Sequence, residues 1–171
     1  MKNTSRMIFQ VAVGPQSNLY AHCIESVSNY CDKHDITHHV LTAPQLWIKP
    51  DPFNSGRSEE SYMKYGGYLP IYEKENAFNY LPEFDQIAIV DADIYIREDA
   101  PNIFDDMSDD AAFGAVVERD MPIEDWYKNK IINYSQMQYG QLHSNASDFR
   151  PNELGFEFCN MGLIVLNSKN F

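Results

Sequence analysis

The 171-residue sequence predicts one α/β domain with a mixed, mostly parallel sheet flanked by helices. Two observations predict it. An apolar run, Ile8 to Val13, is followed by a segment of helical periodicity and then by a second run, Ile36 to Thr42; strand–helix–strand order implies a βαβ unit and a parallel sheet. Further short apolar runs, Gln86 to Val90, Ala112 to Val117 and Phe156 to Leu166, then alternate with helical or polar segments.

Each element has its local reason. Gly14-Pro15 breaks the first strand, and Ser17 or Asn18 caps the helix that follows. In that helix Tyr20, Cys23, Ile24, Val27, Tyr30 and Cys31 recur at spacings of three and four and form one apolar face. Pro44 to Tyr68 mixes Pro, Gly, Asn, Ser and charge with little periodicity and reads as a long loop, with a short helix around Glu59 to Tyr65. Pro70 suits a first helical turn, so a helix is predicted over Ile71 to Tyr80 with Ala77, Phe78 and Leu81 inward, stopped by Pro82. Gln86 to Val90 is a buried strand, continued as strand by Ile94 to Ile96. Pro101 to Phe104 is a single turn, and Ala112 to Val117 another buried strand. Glu124 to Gln138 is helical, with Trp126, Ile131 and Tyr134 making contacts. Gly140 to Asn152 is a polar loop, and Phe156 to Leu166 is an apolar strand pair broken near Asn160.

Composition narrows the function classes. Hydrophobic residues make up 44% and charged residues 22%, ordinary for a globular protein with a real core. Thirteen basic against 25 acidic residues give a net charge of −12, which argues against a nucleic-acid or anionic-membrane surface. A phosphate-bearing small ligand stays open if a metal or a local Lys supplies positive charge. Cys23, Cys31 and Cys159 are odd in number and irregularly spaced, so no disulfide framework is predicted. Met1 to Gln10 has no apolar signal region and no run reaches the ~18 residues of a membrane span, so a cytoplasmic protein without a transmembrane segment is predicted. The Asn-x-Ser/Thr sites at Asn3, Asn133 and Asn145 then read as chance.

The chemistry concentrates in Asp91-Ala92-Asp93, at the end of the Gln86–Val90 run. On a strand the two carboxylates share a side, because side chains alternate. Like charges that close repel unless a cation sits between them, and hard oxygen ligands favour Mg²⁺ or Mn²⁺, which commonly also hold substrate phosphates. Ala92 leaves the ligand room. The competing reading is an Asp that only caps a turn. Asn160, an amide inside an apolar run, needs hydrogen-bond partners and is a second candidate. His34, His38 and His39 do not make a zinc site, since neighbours on a strand face opposite ways. Asp105, Asp106, Asp109 and Asp110 read as a solvated loop.

Three segments together resemble one family. They are YEKENAFNYLPEFDQIAIVDADIYIREDAPNIFD (Tyr72 to Asp105), FEFCNMGLIVLNSKNF (Phe156 to Phe171) and IFQVAVGPQSNLYAHCIESV (Ile8 to Val27). A Lys on a helix, a Leu-Pro-x-Phe-Asp turn, an apolar strand and Asp-Ala-Asp, followed later by Asn-x-Gly within an apolar run, resemble the retaining GT-A glycosyltransferases of family 8, the glycogenin and lipopolysaccharide galactosyltransferase group. The resemblance implies a Rossmann-like GT-A fold, a UDP-sugar donor, Mn²⁺ or Mg²⁺, and an acceptor that is a glycan, lipid or protein. By the same resemblance Asp91 and Asp93 bind the metal, and Lys74 neutralises the diphosphate or orients the sugar. Val13 and Gly14 offer backbone to the base while Tyr20 packs on it. Asn160 contacts the donor sugar, with Gly162 leaving it space.

Departures from the family pattern are visible. Pro15-Gln16-Ser17-Asn18 stands where the family has Thr-x-Asn/Asp, and the family's third metal ligand, a His, lies beyond the Asn-x-Gly strand. The chain therefore reads as the nucleotide-binding portion of a longer transferase. A haloacid-dehalogenase-like phosphatase also uses Asp-x-Asp after a strand, but its motif continues x-Thr or x-Val and sits near the N-terminus. Here it continues Ile94-Tyr95. A nucleotidyltransferase would want a Gly-rich basic loop where Gly14-Pro15-Gln16-Ser17 stands. A non-catalytic sugar-nucleotide-binding domain is the reading outside enzymes.

Overall fold

A computed structural model describes residues 4–14, 17–49, 63, 68–140, 151–152 and 154–171. The predicted helix at 59–65 lies outside the described residues but for Met63, as does most of the polar loop after Gly140. The fold is mixed α/β. Five strands, β1 (Arg6–Val11), β2 (Thr37–Leu41), β3 (Gln86–Val90), β4 (Phe113–Val117) and β5 (Cys159–Asn167), form one sheet in the order β2-β1-β3-β5-β4. Helix α1 (Asn18–His34) and helix α2 (Asp125–Tyr139) accompany them.

β1 pairs in parallel with β2, Ile8 opposite His38, and with β3, Ile8 opposite Ala88. The predicted βαβ unit is therefore present. β5 runs the other way: Asn167 donates its N–H to the Ala112 carbonyl and Ser168 to the Asp85 carbonyl, so the end of β5 lies beside the starts of β4 and β3. The central position of β3 explains its unbroken apolar run, since all five of its residues are buried. Ile8, Phe9, Ile87 and Leu166 are fully enclosed, each worth about 1.5–3 kcal/mol of transfer free energy.

The chain divides into two compact units, Met1–Gly114 with Val165–Phe171, and Ala115–Ile164. In the first, Ser17 caps α1 by accepting from the Tyr20 N–H, and Asp35 ends it in a left-handed conformation, φ +54. Cys23, Val27, Tyr30 and Cys31 are buried as the periodicity predicts. In the second, Arg119 is buried and donates to the Phe156 carbonyl, and Tyr134 and Tyr139 of α2 meet Phe158.

Several predicted details are corrected. Ile94 to Ile96 is not strand; the Ile96 N–H is taken by Ser26 Oγ of α1, and Tyr30 donates to the Pro101 carbonyl while accepting from the Ile103 N–H. Side chains of α1 thus replace a ladder partner. Pro70–Tyr80 is an eleven-residue 3-10 helix, not an α-helix. Its period of three turns Glu73, Asn76 and Ala77 inward and leaves Phe78 43% exposed, edge-on to Phe171. β4 is an edge strand with Phe113 and Val116 exposed, not a buried one. In α2 the expected contacts are made, with Ile131 buried, Tyr134 edge-on to Phe158 and Trp126 edge-on to Tyr127, but Trp126 and Tyr134 stay exposed rather than core. β5 is one strand of nine residues that passes through Asn160 without a break.

Candidate functional site

The carboxyl end of β3 carries the site. The strand stops at Val90, and Asp91-Ala92-Asp93 closes a tight turn in which the Ile94 N–H donates to the Asp91 carbonyl at 3.1 Å. The two carboxylates share a cleft because of this turn, not because of strand alternation as the sequence implied. Ala92 is buried beneath the turn, and Asp91 and Asp93 face outward. The cleft, of about 210 Å³, is lined by Val11, Tyr20, Pro70, Ile71, Lys74, Asp91, Ala92 and Asp93.

Tyr20 belongs to the first turns of α1 and is half-buried in this cleft rather than core. Lys74 comes from the 3-10 segment, its side chain 12% exposed, and its Nζ is ion-paired with Asp91 Oδ1. An ion pair this enclosed is screened less by solvent than a surface pair. Val13 and Gly14 follow the strand that supplies Val11, and Gly14 takes φ +98, a backbone shape open to glycine. Asn160 and Gly162 lie on β5 in the second unit, where Asn160 Oδ1 accepts from the Gly162 N–H at 2.9 Å. The amide of Asn160 thus finds a local partner.

Two supporting residues were not singled out from the sequence. Gln10, fully buried in β1, donates Nε2–H to the Asp91 carbonyl at 3.2 Å. Its Oε1 is then left to accept from His38 Nε2 at 2.8 Å, which fixes the proton of that imidazole on Nε2. Burial pushes the His38 pKa below its usual value, in keeping with a neutral ring. Glu73 is fully buried and accepts from the backbone N–H groups of Gln45, Leu46 and Trp47 and from Asn76 Nδ2 at 2.7–3.2 Å. Burial alone would push its carboxyl up; the hydrogen bonds from Gln45, Trp47, Tyr68 and Leu46 outweigh it and hold the pKa below the ordinary carboxylate value. A signal for Gln10 existed: it is a polar residue within an apolar run, the argument already applied to Asn160. Glu73 had no such signal, because its partners come from a segment without periodicity.

Among the described residues no three His, Cys, Asp or Glu side chains converge as a metal cluster. His39 stacks on Phe9 at 5.2 Å, and His38 is held by Gln10. Cys23 and Cys31 are buried thiols, and Cys31 is pushed up to about 12, chiefly by burial. Arg6 pairs with Asp105 and Lys169 with Asp109 at the exposed acidic loop. Among the described residues no helix is long and apolar enough to cross a membrane.

No family model and no curated protein matches the chain. Among solved structures it is similar to the crystal structure of a glycosyltransferase involved in the glycosylation of the major capsid of PBCV-1, with 12% identity and a TM-score of 0.50. The alignment covers 96% of this chain and 60% of that one, so the chain spans less than two thirds of that protein's length. The likeness is one of fold, and it agrees with a mostly parallel five-stranded α/β sheet flanked by helices.

Proposed function

We propose that this chain is the nucleotide-sugar-binding part of a metal-dependent glycosyltransferase of the GT-A type, similar to family 8, which moves a sugar from a UDP-sugar to a glycan, lipid or protein acceptor with retention. The observation that carries this reading is the convergence of Asp91, Asp93, Lys74 and Tyr20 on one cleft at the end of a central strand. In open α/β sheets ligands bind at the carboxyl ends of the strands. A glycosyltransferase among the fold neighbours supports the same reaction class.

The donor set fits a hard divalent cation. Asp91 and Asp93 would supply two of the oxygen ligands that such an ion takes beside phosphates and water. When bound, such an ion supplies Lewis-acid stabilisation to the departing diphosphate. The chain's own residues do the rest. Lys74, partly enclosed, sets a fixed positive charge beside the diphosphate and stabilises it as charge grows there. Tyr20 packs on the base, and Val13 and Gly14 present backbone to it. By the resemblance, Asn160 meets the donor sugar and Gly162 leaves it room.

The test is calorimetric titration of UDP with and without Mn²⁺ on the wild type, Asp93→Asn and Lys74→Met. Binding that requires Mn²⁺ and Asp93 and weakens about tenfold in Lys74→Met supports the proposal. Metal-independent binding, or equal binding by Asp93→Asn, sinks it. Release of phosphate from p-nitrophenyl phosphate, lost in Asp91→Asn, would favour the phosphatase reading instead.

A further inference from the structure

Trp47 occupies a backbone conformation that bulky residues rarely adopt, with φ +52. Core packing does not demand it, because Trp47 is 59% exposed. One face of its ring is backed by buried Tyr68, with centroids 5.2 Å apart and planes tilted by 46°. What holds the backbone is Glu73. The N–H groups of Gln45, Leu46 and Trp47 all donate to this one buried carboxylate. The Leu69 N–H, donated to the Ile48 carbonyl at 3.3 Å, fixes the same segment from the other side.

The position of this platform matters. Glu73 precedes Lys74 in the 3-10 segment, and Pro70, Ile71 and Lys74 of that segment line the Asp91 cleft. The fold therefore commits a left-handed backbone and a buried carboxylate to presenting an indole to water on a loop tied, through Glu73, to the element that borders the cleft. Non-glycine residues held in such conformations by their surroundings cluster at ligand clamps. An indole is broad, rigid and mostly apolar, with a single N–H donor. The C–H face of a pyranose ring, with hydroxyls around its rim, matches that surface. A phosphate would instead want basic side chains, and the hydrogen-bond partners of this segment are carboxylate and backbone.

We propose that Trp47 is a saccharide-stacking platform that receives the C–H face of a sugar ring beside the Asp91 cleft. The sugar belongs either to the nucleotide donor or to the acceptor glycan. This inference rests on the glycosyltransferase reading.

Trp47 and Trp126 are the two tryptophans of the chain, so Trp126→Phe leaves Trp47 as the sole indole reporter. The full chain in that background is titrated, with Mn²⁺, by UDP, UDP-glucose, UDP-galactose, maltose and lactose, following Trp emission, with calorimetry in parallel. A blue shift with a UDP-sugar but not with UDP assigns the donor sugar; a shift with a free disaccharide assigns the acceptor. Equal shifts with UDP and every UDP-sugar, or no shift across the panel while calorimetry reports Mn²⁺-dependent UDP binding, overturn the platform and leave the transferase reading standing. Absence of UDP binding overturns both. A second variant separates function from packing. Trp47→Gly suits the positive φ, so it should melt no lower than the wild type while losing saccharide affinity about fivefold to tenfold, the worth of one stacking contact. Trp47→Phe should keep that affinity within about threefold by the same reasoning. A drop of several degrees in Tm for Trp47→Gly with unchanged saccharide affinity would make Trp47 a packing residue and refute the proposal.

Discussion

Removing the Glu73 carboxylate should destabilise the protein more than any surface acidic substitution. In the structure it accepts from three consecutive backbone N–H groups, Gln45 to Trp47, and from Asn76 Nδ2. A hydrogen bond to a charged acceptor is worth about 1.5–3 kcal/mol net, but these bonds share one charge and are not additive. Residues 45–47 are themselves exposed, so water can re-solvate part of what is lost. Glu73→Ala is therefore expected to cost about 3–4 kcal/mol, including a small cavity, and Glu73→Gln about 2 kcal/mol, since one oxygen survives. Urea unfolding monitored by circular dichroism measures both. The pH dependence gives an independent sign. The folded-state pKa of Glu73 lies below its ordinary value of 4.5, so its stabilisation is full above that value and is lost as pH falls through the folded pKa. The stability difference between wild type and Glu73→Gln should accordingly shrink below about pH 4.5. A cost under about 1 kcal/mol for Glu73→Ala, or a difference that stays constant down to pH 3, would refute the reasoning.

Gln10→Leu removes both the bond to the Asp91 carbonyl and the partner of His38; it should cost about 1–3 kcal/mol in urea unfolding and weaken Mn²⁺-dependent UDP binding, whereas a loss of stability with unchanged binding would detach Gln10 from the site. Cys31, with its thiol pushed up to about 12 and its side chain buried, should stay unmodified by a disulfide reagent at pH 8 until urea unfolds the chain; fast labelling in the native state would contradict the packing of α1. Raising salt from 50 to 300 mM should weaken UDP binding in the presence of Mn²⁺ and leave the residual metal-free binding equal or slightly stronger, read by calorimetry; parallel changes in both would argue against the charge balance set out below.

The parts of the fold legible in the sequence were those set by burial alone. Gln86–Val90 is read correctly to the residue because a strand at the centre of the sheet must be apolar throughout. Helix α1 is read from the spacing of Cys23, Val27, Tyr30 and Cys31, and its start from Ser17. The errors fall where a partner distant in sequence decides. Ile94 to Ile96 has strand composition, but the side chains of Ser26 and Tyr30 take up the backbone of this stretch and its sequel. Pro70–Tyr80 has helix composition, and a 3-10 period sets Glu73 and Asn76, three residues apart, inward together, where Glu73 binds the backbone of residues 45–47 and Asn76 donates to Glu73. At the site, the Asp pair and Lys74 were legible as motif and resemblance. The turn that joins the carboxylates, and the Gln10 amide beneath it, depend on cross-sheet geometry that no local pattern encodes.

The acidity of the chain and the proposed anionic donor are compatible for a reason of distance. A net charge of −12 would repel a nucleotide diphosphate if every carboxylate acted on it. At physiological ionic strength the screening length is about 8 Å, so exposed groups such as Asp105 and Asp109, already paired with Arg6 and Lys169, contribute little at the cleft. What remains is local: Asp91, Asp93 and a partly enclosed Lys74. Two carboxylates and one ammonium leave the cleft negative, and a diphosphate meets repulsion there. On the proposed reading a divalent cation would reverse the sign, and Lys74, paired with Asp91 in this structure, would become available to the phosphates as the cation shared that carboxylate. Metal and nucleotide would then be each other's condition for binding, a coupling equal in both directions by linkage. On that reading one Lys in the cleft would be enough even in so acidic a protein, because the cation would invert the local charge and Lys74 would fix where the inverted field points.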